Sequence, residues 1–455
     1  MIHRYFPHTP EDIAKMLGRC GIENLDDLYA DVPESLMLRR DYDVPSQMSE
    51  DEVRRYFKEL AESNLQSTCF AGYGFYDHYA PAVINHIISR SEFLTAYTPY
   101  QPEISQGTLQ YIFEYQTMMT ELTGLYVSNA SMYDGTTAVA EAVMMAVANA
   151  RKRNRVLVSS TLNYLYVDVI NTYARYHGIV VDMIPEKDGV TDLDAMEQML
   201  ASGDVAGVVL PSPNCYGILE DYTGVADKVH AAKSLLIITA PASTLGVIKS
   251  PGEWGADIAA GEAQSLGMPL NFGGPNLGYM CCVKSLIRKL PGRIVGATTD
   301  ADGKRTFVLT LQAREQHIRR EKATSNICSN QGLMALYAAV YLSLMGPEGL
   351  REVNEISCAR THYMVRKLEE TGLFEPMFPE RPYLCEVAMR YNGTVDLDIL
   401  LQTLCVDYGV LAGVQTDDDC VVLCATEKRT VEEIDALAEA FVSAHNDLKD
   451  INSQN

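Results

Sequence analysis

The chain has 455 residues, 47% of them apolar and 21% charged, with a formal charge of −23. That is ordinary globular usage, with length enough for two or three domains sharing large cores. The surplus negative charge excludes nucleic acid and anionic membranes as general partners, since a phosphate backbone would be repelled; an anionic ligand needs a local basic patch. Eleven cysteines show no C-x-x-C spacing, and Cys281-Cys282, Cys420 and Cys424 lie in apolar runs. They read as small apolar filler in a reducing cytoplasm, with no metal site. The opening MIHRYFPHTPEDI has no apolar h-region, and no run reaches the ~18 apolar residues of a membrane span. Leu333 to Met345 comes nearest and reads as a buried helix.

Residues 1–65 are predicted to be a helical arm. Thr9-Pro10-Glu11-Asp12 supplies an N-cap, a proline at the first helical position and first-turn acids. Ser49-x-x-Glu52 is a capping box opening a helix that runs to Asn64. Short helices with little apolar surface do not fold alone, so this arm is expected to lie across another surface, in a partner or in the large domain.

Residues 66–325 alternate strand-like and helix-like segments. A helix opens at Asp134-Gly135 and reaches about Arg151. Arg155 to Ser160 is a strand, Thr161 to His177 a helix ending at Gly178, and Ile179 to Pro185 a strand. Further strands are expected at Val205 to Pro211, Leu235 to Ala240, Asp257 to Ala260 and Gly278 to Val283. Continuous apolar strands between helices imply a mostly parallel sheet covered on both faces. No G-x-G-x-x-G follows the first strand, which argues against dinucleotide binding. Residues 326–455 read as a smaller α+β domain: a helix from Gln331 to Met345, a turn at Gly346-Pro347, a second helix, strands at Cys385 to Tyr391 and Cys420 to Cys424, and a last helix behind Thr430-x-x-Glu433.

Four segments are candidates for function. In AYTPYQPEISQGTLQ, Ala96 to Gln110, Pro99 and Pro102 stiffen the chain and present Tyr97, Thr98, Tyr100 and Gln101 at fixed positions, as a binding surface or as an ordered inter-helix loop. Gly135, Thr136 and Thr137 open a helix, either as a phosphate cradle or as a plain capped start, and Asp134 would repel a phosphate unless it caps. Gly261 to Gly278, with five glycines and two prolines, reads as a loop, either a floor between chains or a plain connector. Arg319, Arg320 and Lys322, with His317, form an anion patch or else a solvated helix face balanced by Glu315 and Glu321.

The same strip, together with AGYGFYDHYAPAVI (Ala71 to Ile84), LTGLYVSNASMYDGTTAVAEA (Leu122 to Ala142) and REQHIRREKATSNICSNQG (Arg314 to Gly332), resembles the glycine decarboxylase, or P-protein, of the glycine cleavage system. The matches span roughly residues 65 to 345 and are nearest to subunit 1 of the two-subunit bacterial form. The resemblance implies an aminotransferase-like fold type I pyridoxal phosphate (PLP) architecture, a large α/β domain followed by the small α+β domain. Such a site needs a lysine amine for the Schiff base, an acid on the pyridinium nitrogen and N–H groups for the phosphate. In the family plan the acid ends the strand read here as Leu235 to Ala240, which closes on Thr239, Ala240 and Pro241. The lysine falls eight positions beyond the aspartate of Gly255-Ala256-Asp257, where Ser265 stands, with Gln264 in place of a histidine. Lys249 and Lys284 are nearest and read as surface residues.

The resemblance therefore implies a pseudo-subunit with a vacant cofactor cleft and no catalytic or metal-binding residue of its own. PLP would be held covalently by subunit 2. The partners implied are that subunit, glycine and the lipoylated H-protein, in a heterotetramer of two plus two chains. Tyr97, Thr98, Tyr100 and Gln101 would line the glycine and lipoyl entrance. The alternatives are a stand-alone fold type I PLP enzyme using another lysine, such as a cysteine desulfurase or small aminotransferase, and a non-catalytic protein binding a small ligand in the vacant cleft.

Overall fold

A computed structural model describes residues 5, 7–150, 152–271, 273–323 and 325–454. The chain divides into two units, Met1–Asn64 and Leu65–Asn455.

In the first unit, helix α1 (Pro10–Cys20) starts where the Thr9 hydroxyl accepts the Asp12 N–H at 3.2 Å and the Asp12 carboxylate accepts the Thr9 N–H at 3.0 Å. Helix α2 (Glu50–Glu62) repeats the device with Ser49 and Glu52. Both were legible as caps. Neither helix buries a residue, and Met16, Tyr56, Phe57 and Leu60 are exposed. Exposed pairs such as Arg54–Glu50 and Arg55–Asp51 add only tenths of a kcal/mol.

The second unit is built on a seven-stranded sheet: β1 (Val127–Ser128), β2 (Arg155–Ser159), β3 (Val180–Ile184), β4 (Val205–Pro211), β5 (Leu235–Thr239), β6 (Ile258–Glu262) and β7 (Gly278–Cys282). Their spatial order is β1-β7-β6-β5-β4-β2-β3. The five strands from β6 to β3 run parallel, and β7 is antiparallel to both its neighbours. All seven residues of β4 are buried, which explains its unbroken apolar run. Alternate residues face opposite sides. Val156, Val158 and Val209 pack under α4 (Gly135–Asn149) and α5 (Tyr164–His177), while Leu157, Val208 and Leu210 pack under α6 (Leu193–Leu200) and α7 (Val225–Ala231).

Two observations correct the predicted elements. The helix expected from Thr161 starts at Tyr164, because Asn163 turns its side chain onto the Leu165 N–H and Thr161 is buried in a polar network with Ser159 and Glu220. The glycine-rich segment expected to be loop from Gly261 is still strand at Gly261 and Glu262, paired with Tyr279 and Gly278. A hairpin of β8 (Ile294–Thr299) and β9 (Arg305–Thr310) is a further element, unread in the sequence.

Helix α8 (Gly332–Glu370) is continuous except at Gly346, whose φ of 60° and ψ of −175° break it just before Pro347. By length and mean hydropathy alone it is apolar enough to cross a membrane. Its first half instead packs Ala335, Tyr337 and Tyr341 into the core of the large sheet with Tyr115 and Met119 of α3 (Gln106–Thr123). Its second half sends Met364 and Leu368 under a four-stranded antiparallel sheet, ordered β10-β11-β13-β12: β10 (Phe374–Pro376), β11 (Glu386–Tyr391), β12 (Val414–Asp417) and β13 (Cys420–Cys424). Helices α9 (Leu397–Asp407) and α10 (Val431–Gln454) complete that core. The division drawn at residue 326 therefore falls just before a helix shared by both cores.

Candidate functional site

Ligands in open parallel sheets sit outside the carboxyl ends of the strands. At the end of β5 stand Thr239, Ala240 and Pro241, with no acid among them. Ser265 is fully buried and its Oγ accepts the Ser243 N–H at 3.1 Å. Gln264 accepts the Tyr76 N–H at 3.0 Å and donates to the Tyr76 carbonyl at 2.9 Å. Lys249 lies with its ammonium 3.7 Å from the centre of the Trp254 ring, and Lys284 lies 5.1 Å from that of Tyr126. Neither borders the cavity at the strand ends, whose walls include Tyr73, Asn163, Tyr166, Thr239 and Glu386.

That cavity measures about 40 Å³, room for a few waters when one needs roughly 10–15 Å³. Glu386 is part of its wall, accepting the Tyr73 N–H at 2.6 Å and the Tyr76 hydroxyl at 2.9 Å. Burial pushes its carboxyl up to about 7, against the pull of those donors. The strand ends thus enclose only a small cavity among this chain's own side chains.

The start of α4 is occupied as well. Gly135 donates its N–H to Glu262 Oε2 at 2.8 Å, and Glu262 Oε1 accepts the N–H groups of Gln264 and Leu277, both at 2.9 Å. Asp134 Oδ1 takes the Thr137 N–H at 2.8 Å and also the Thr136 hydroxyl. A Cβ on Gly135 would stand 2.5 Å from the Tyr166 hydroxyl and 2.7 Å from the Glu262 nitrogen. Gly135, Thr136 and Thr137 therefore offer no free cradle, because a carboxylate from the end of β6 already sits at the helix's positive end. Burial pushes Glu262 up to about 7, opposed by its three N–H donors. With no amine at the cavity, no acid at the end of β5 and the start of α4 already taken by Glu262, these residues do not fit PLP. Among the described residues no group of three histidine, cysteine or acidic side chains is set to hold a metal.

The strip Tyr97–Gln101 lies elsewhere. Tyr97 and Gln101 are exposed, Thr98 is half-buried and Tyr100 is 43% exposed. Tyr100 is fixed from beneath: its hydroxyl accepts from Arg293 at 3.0 Å, and the guanidinium carbon lies 5.3 Å from its ring centre. The Tyr97 and His317 rings stand 6.4 and 6.0 Å from it. The Arg293 side chain is 4% exposed and has Glu315 at 3.8 Å. Gln106, at the start of α3, joins the strip to the hairpin, donating to the carbonyls of Pro102 (2.7 Å) and Phe307 (2.9 Å) and accepting the Phe307 N–H at 2.9 Å.

Arg319, Arg320 and Lys322 are exposed, but not on the expected helix face. The segment forms a four-residue helix, Gln316–Arg319, and a turn, Arg320–Lys322, interrupted where Arg320 takes a φ of 55°. Arg314, read as part of the same motif, is half-buried instead and donates to the carbonyls of Gly292 (2.9 Å) and Leu311 (3.1 Å). Burial lowers its affinity for the proton. The structure thus brings the strip together with His317, and Gly135 together with Glu262 and Gln264. Among the described residues no hydrogen bond, ion pair or ring contact joins the two groups. Arg293 and Glu262 are the residues missed in the sequence, since nothing local marks an arginine or glutamate that will be buried.

Residues 3–441 match the model of the family described as Glycine cleavage system P-protein. Curated relatives include a probable glycine dehydrogenase (decarboxylating) subunit 1 of Moorella thermoacetica, 48% identical over 96% of this chain and 98% of its own length. Another, of Geobacillus kaustophilus, is 46% identical over 98% and 100%. Among solved structures, a glycine decarboxylase (P-protein) of the glycine cleavage system in inhibitor-bound form is 41% identical, with a TM-score of 0.88 over 97% of this chain and all of that one. An alanine–glyoxylate aminotransferase from Nostoc, 15% identical with a TM-score of 0.61 over 90% of this chain and 98% of that one, shares the fold. With the aminotransferase-like architecture and near full-length similarity in hand, the chain belongs to the glycine cleavage system P-protein family.

Proposed function

We propose that this chain is the half of a glycine decarboxylase that carries no cofactor of its own and works as one subunit of a two-subunit P-protein. The observation that carries this is the carboxylate of Glu262 seated on the Gly135 N–H, beside a buried Ser265 and a small cavity. In this reading PLP is held by subunit 2, in a cytoplasmic assembly of two plus two chains. Loss of CO2 from glycine needs an electron sink, which belongs to that partner, and the aminomethyl group passes to the lipoyl arm of the H-protein. This chain supplies enclosure. Tyr97, Thr98, Tyr100 and Gln101 line the entrance, and a dry cleft discourages premature protonation of the carbanion. The fixed Tyr100, held by a buried arginine, suits a wall whose position must not drift.

The stand-alone enzyme is disfavoured because neither nearby lysine borders the strand ends. The ligand-binding pseudoenzyme is disfavoured because about 40 Å³ admits only a few waters. The test is expression with and without a candidate subunit 2. Alone, the chain should bind no PLP reducibly by borohydride and exchange no labelled CO2 with glycine. Together, the two chains should co-elute and do both, with the label on the partner. A lysine of this chain carrying the reduced cofactor would refute the proposal.

A further inference from the structure

Between positions 284 and 322 the sequence holds ten basic and four acidic residues, in a chain whose total is −23. The most exposed end of that stretch is the ridge formed by Arg319, Arg320 and Lys322. None of these three makes an ion pair among the described residues, although exposed arginines elsewhere, such as Arg39, Arg54 and Arg55, do. The ridge borders the proposed entrance: His317, in the same short helix as Arg319, packs edge-on to Tyr100 at 6.0 Å. Exposed apolar groups accompany it, Ile318 at 51% and Tyr97 at 75%.

We propose that this ridge is the docking surface for the lipoyl-bearing H-protein, and that it recognises acidic side chains around the lipoylated lysine. The inference rests on the reading given under Proposed function and adds where the carrier binds. Three considerations favour a transient carrier over the permanent partner subunit. Stable interface cores are depleted of charged residues other than arginine, whereas this ridge sets three exposed cations close together, Lys322 among them. A carrier that must arrive and leave in each cycle gains from electrostatic steering, which speeds encounter. Arg319, Arg320 and Lys322, with the single acid Glu321 among them, provide a positive local field in an acidic molecule, and the exposed Ile318 and Tyr97 add apolar surface. The backbone of Arg320, at φ 55° and ψ −128°, is strained for a residue with a side chain, and such conformations persist where a group must be held in one direction.

The experiment uses the two-subunit complex with purified lipoylated H-protein as probe. In R319E/R320E/K322E, kcat/KM for the H-protein should fall at least tenfold at low salt, and its dependence on salt should flatten, while this chain still co-elutes with its partner. R319Q/R320Q/K322Q, which asks less of the fold, should fall less and flatten in the same way. If either variant loses the partner, the ridge belongs to the subunit interface and the inference is overturned. It is also overturned if kcat/KM and its salt dependence match the wild type. A wild-type complex that releases no CO2 from glycine refutes the underlying reading instead, and this inference falls with it.

Discussion

Glu141 offers the best-defined perturbation. It lies in α4, 5% exposed, and one oxygen accepts the Ser325 hydroxyl at 2.6 Å. It borders a cavity of about 240 Å³ shared with Tyr173, His177 and Arg320. Burial pushes its carboxyl up to about 7 from 4.5, with the Ser325 bond and His177 pulling the other way. A raised folded pKa means the native state holds the proton more tightly. The stability it contributes is complete below about pH 4.5 and is lost as pH rises through about 7. At ~1.4 kcal/mol per unit, the loss across that window is about 3 kcal/mol. Glu141→Gln keeps an oxygen for Ser325 and removes the ionisation. The variant should match the wild type near pH 4.5 and exceed it by up to about 3 kcal/mol above pH 7. Chemical denaturation of both proteins across the window, followed by circular dichroism, reads this difference. Glu262 and Glu386 also sit near 7, but they titrate in both proteins and cancel to the extent that the sites are independent. A difference that stays constant with pH would refute the argument.

Two other substitutions test the architecture of the sites. Gly135→Ala puts a methyl 2.5 Å from the Tyr166 hydroxyl and against Glu262, so it should destabilise by roughly 1–3 kcal/mol in thermal melts, whereas a free cradle would tolerate it. Tyr100→Phe leaves an Arg293 N–H without its acceptor in a buried setting and should cost about 1–3 kcal/mol; in the two-subunit complex it should also change KM for glycine or for the H-protein, and a variant identical in both would remove Tyr100 from the entrance.

Local rules carried much of the fold. Thr9, Ser49 and Asp134 announce helix starts because a short acceptor before an apolar-periodic run has one economical use. The all-apolar strands and the break at Gly346-Pro347 are equally direct. The hairpin at Ile294–Thr310 escaped because its residue types do not alternate: Phe307 and Leu309 are buried in turn, but the intervening Val308 is apolar too, and the outer end of β8 is exposed Ala297, Thr298 and Thr299. The sites were less legible for a different reason. The absence of an amine at Ser265 could be counted along the chain, but what replaces the ligand could not: Glu262 is 127 positions from Gly135. Likewise the prolines mark the Tyr97–Gln101 strip as rigid, yet the arginine that fixes Tyr100 lies 193 residues away. Basic residues in one motif divide into the half-buried Arg314 and the exposed Arg319, Arg320 and Lys322, a partition that tertiary packing decides.

The glutamate lodged at the mouth of α4 also bears on how this subunit could ever regain chemistry. An amine supplied at position 265 alone would still meet the Glu262 carboxylate seated on the Gly135 N–H and a strand β5 that closes on Thr239, Ala240 and Pro241 without an acid. Position 262, position 265 and the end of β5 would have to change together, and replacing Glu262 or Ser265 alone removes a buried hydrogen bond. A single substitution therefore gains nothing and costs a buried bond, which makes the present packing of these residues hard to leave one step at a time.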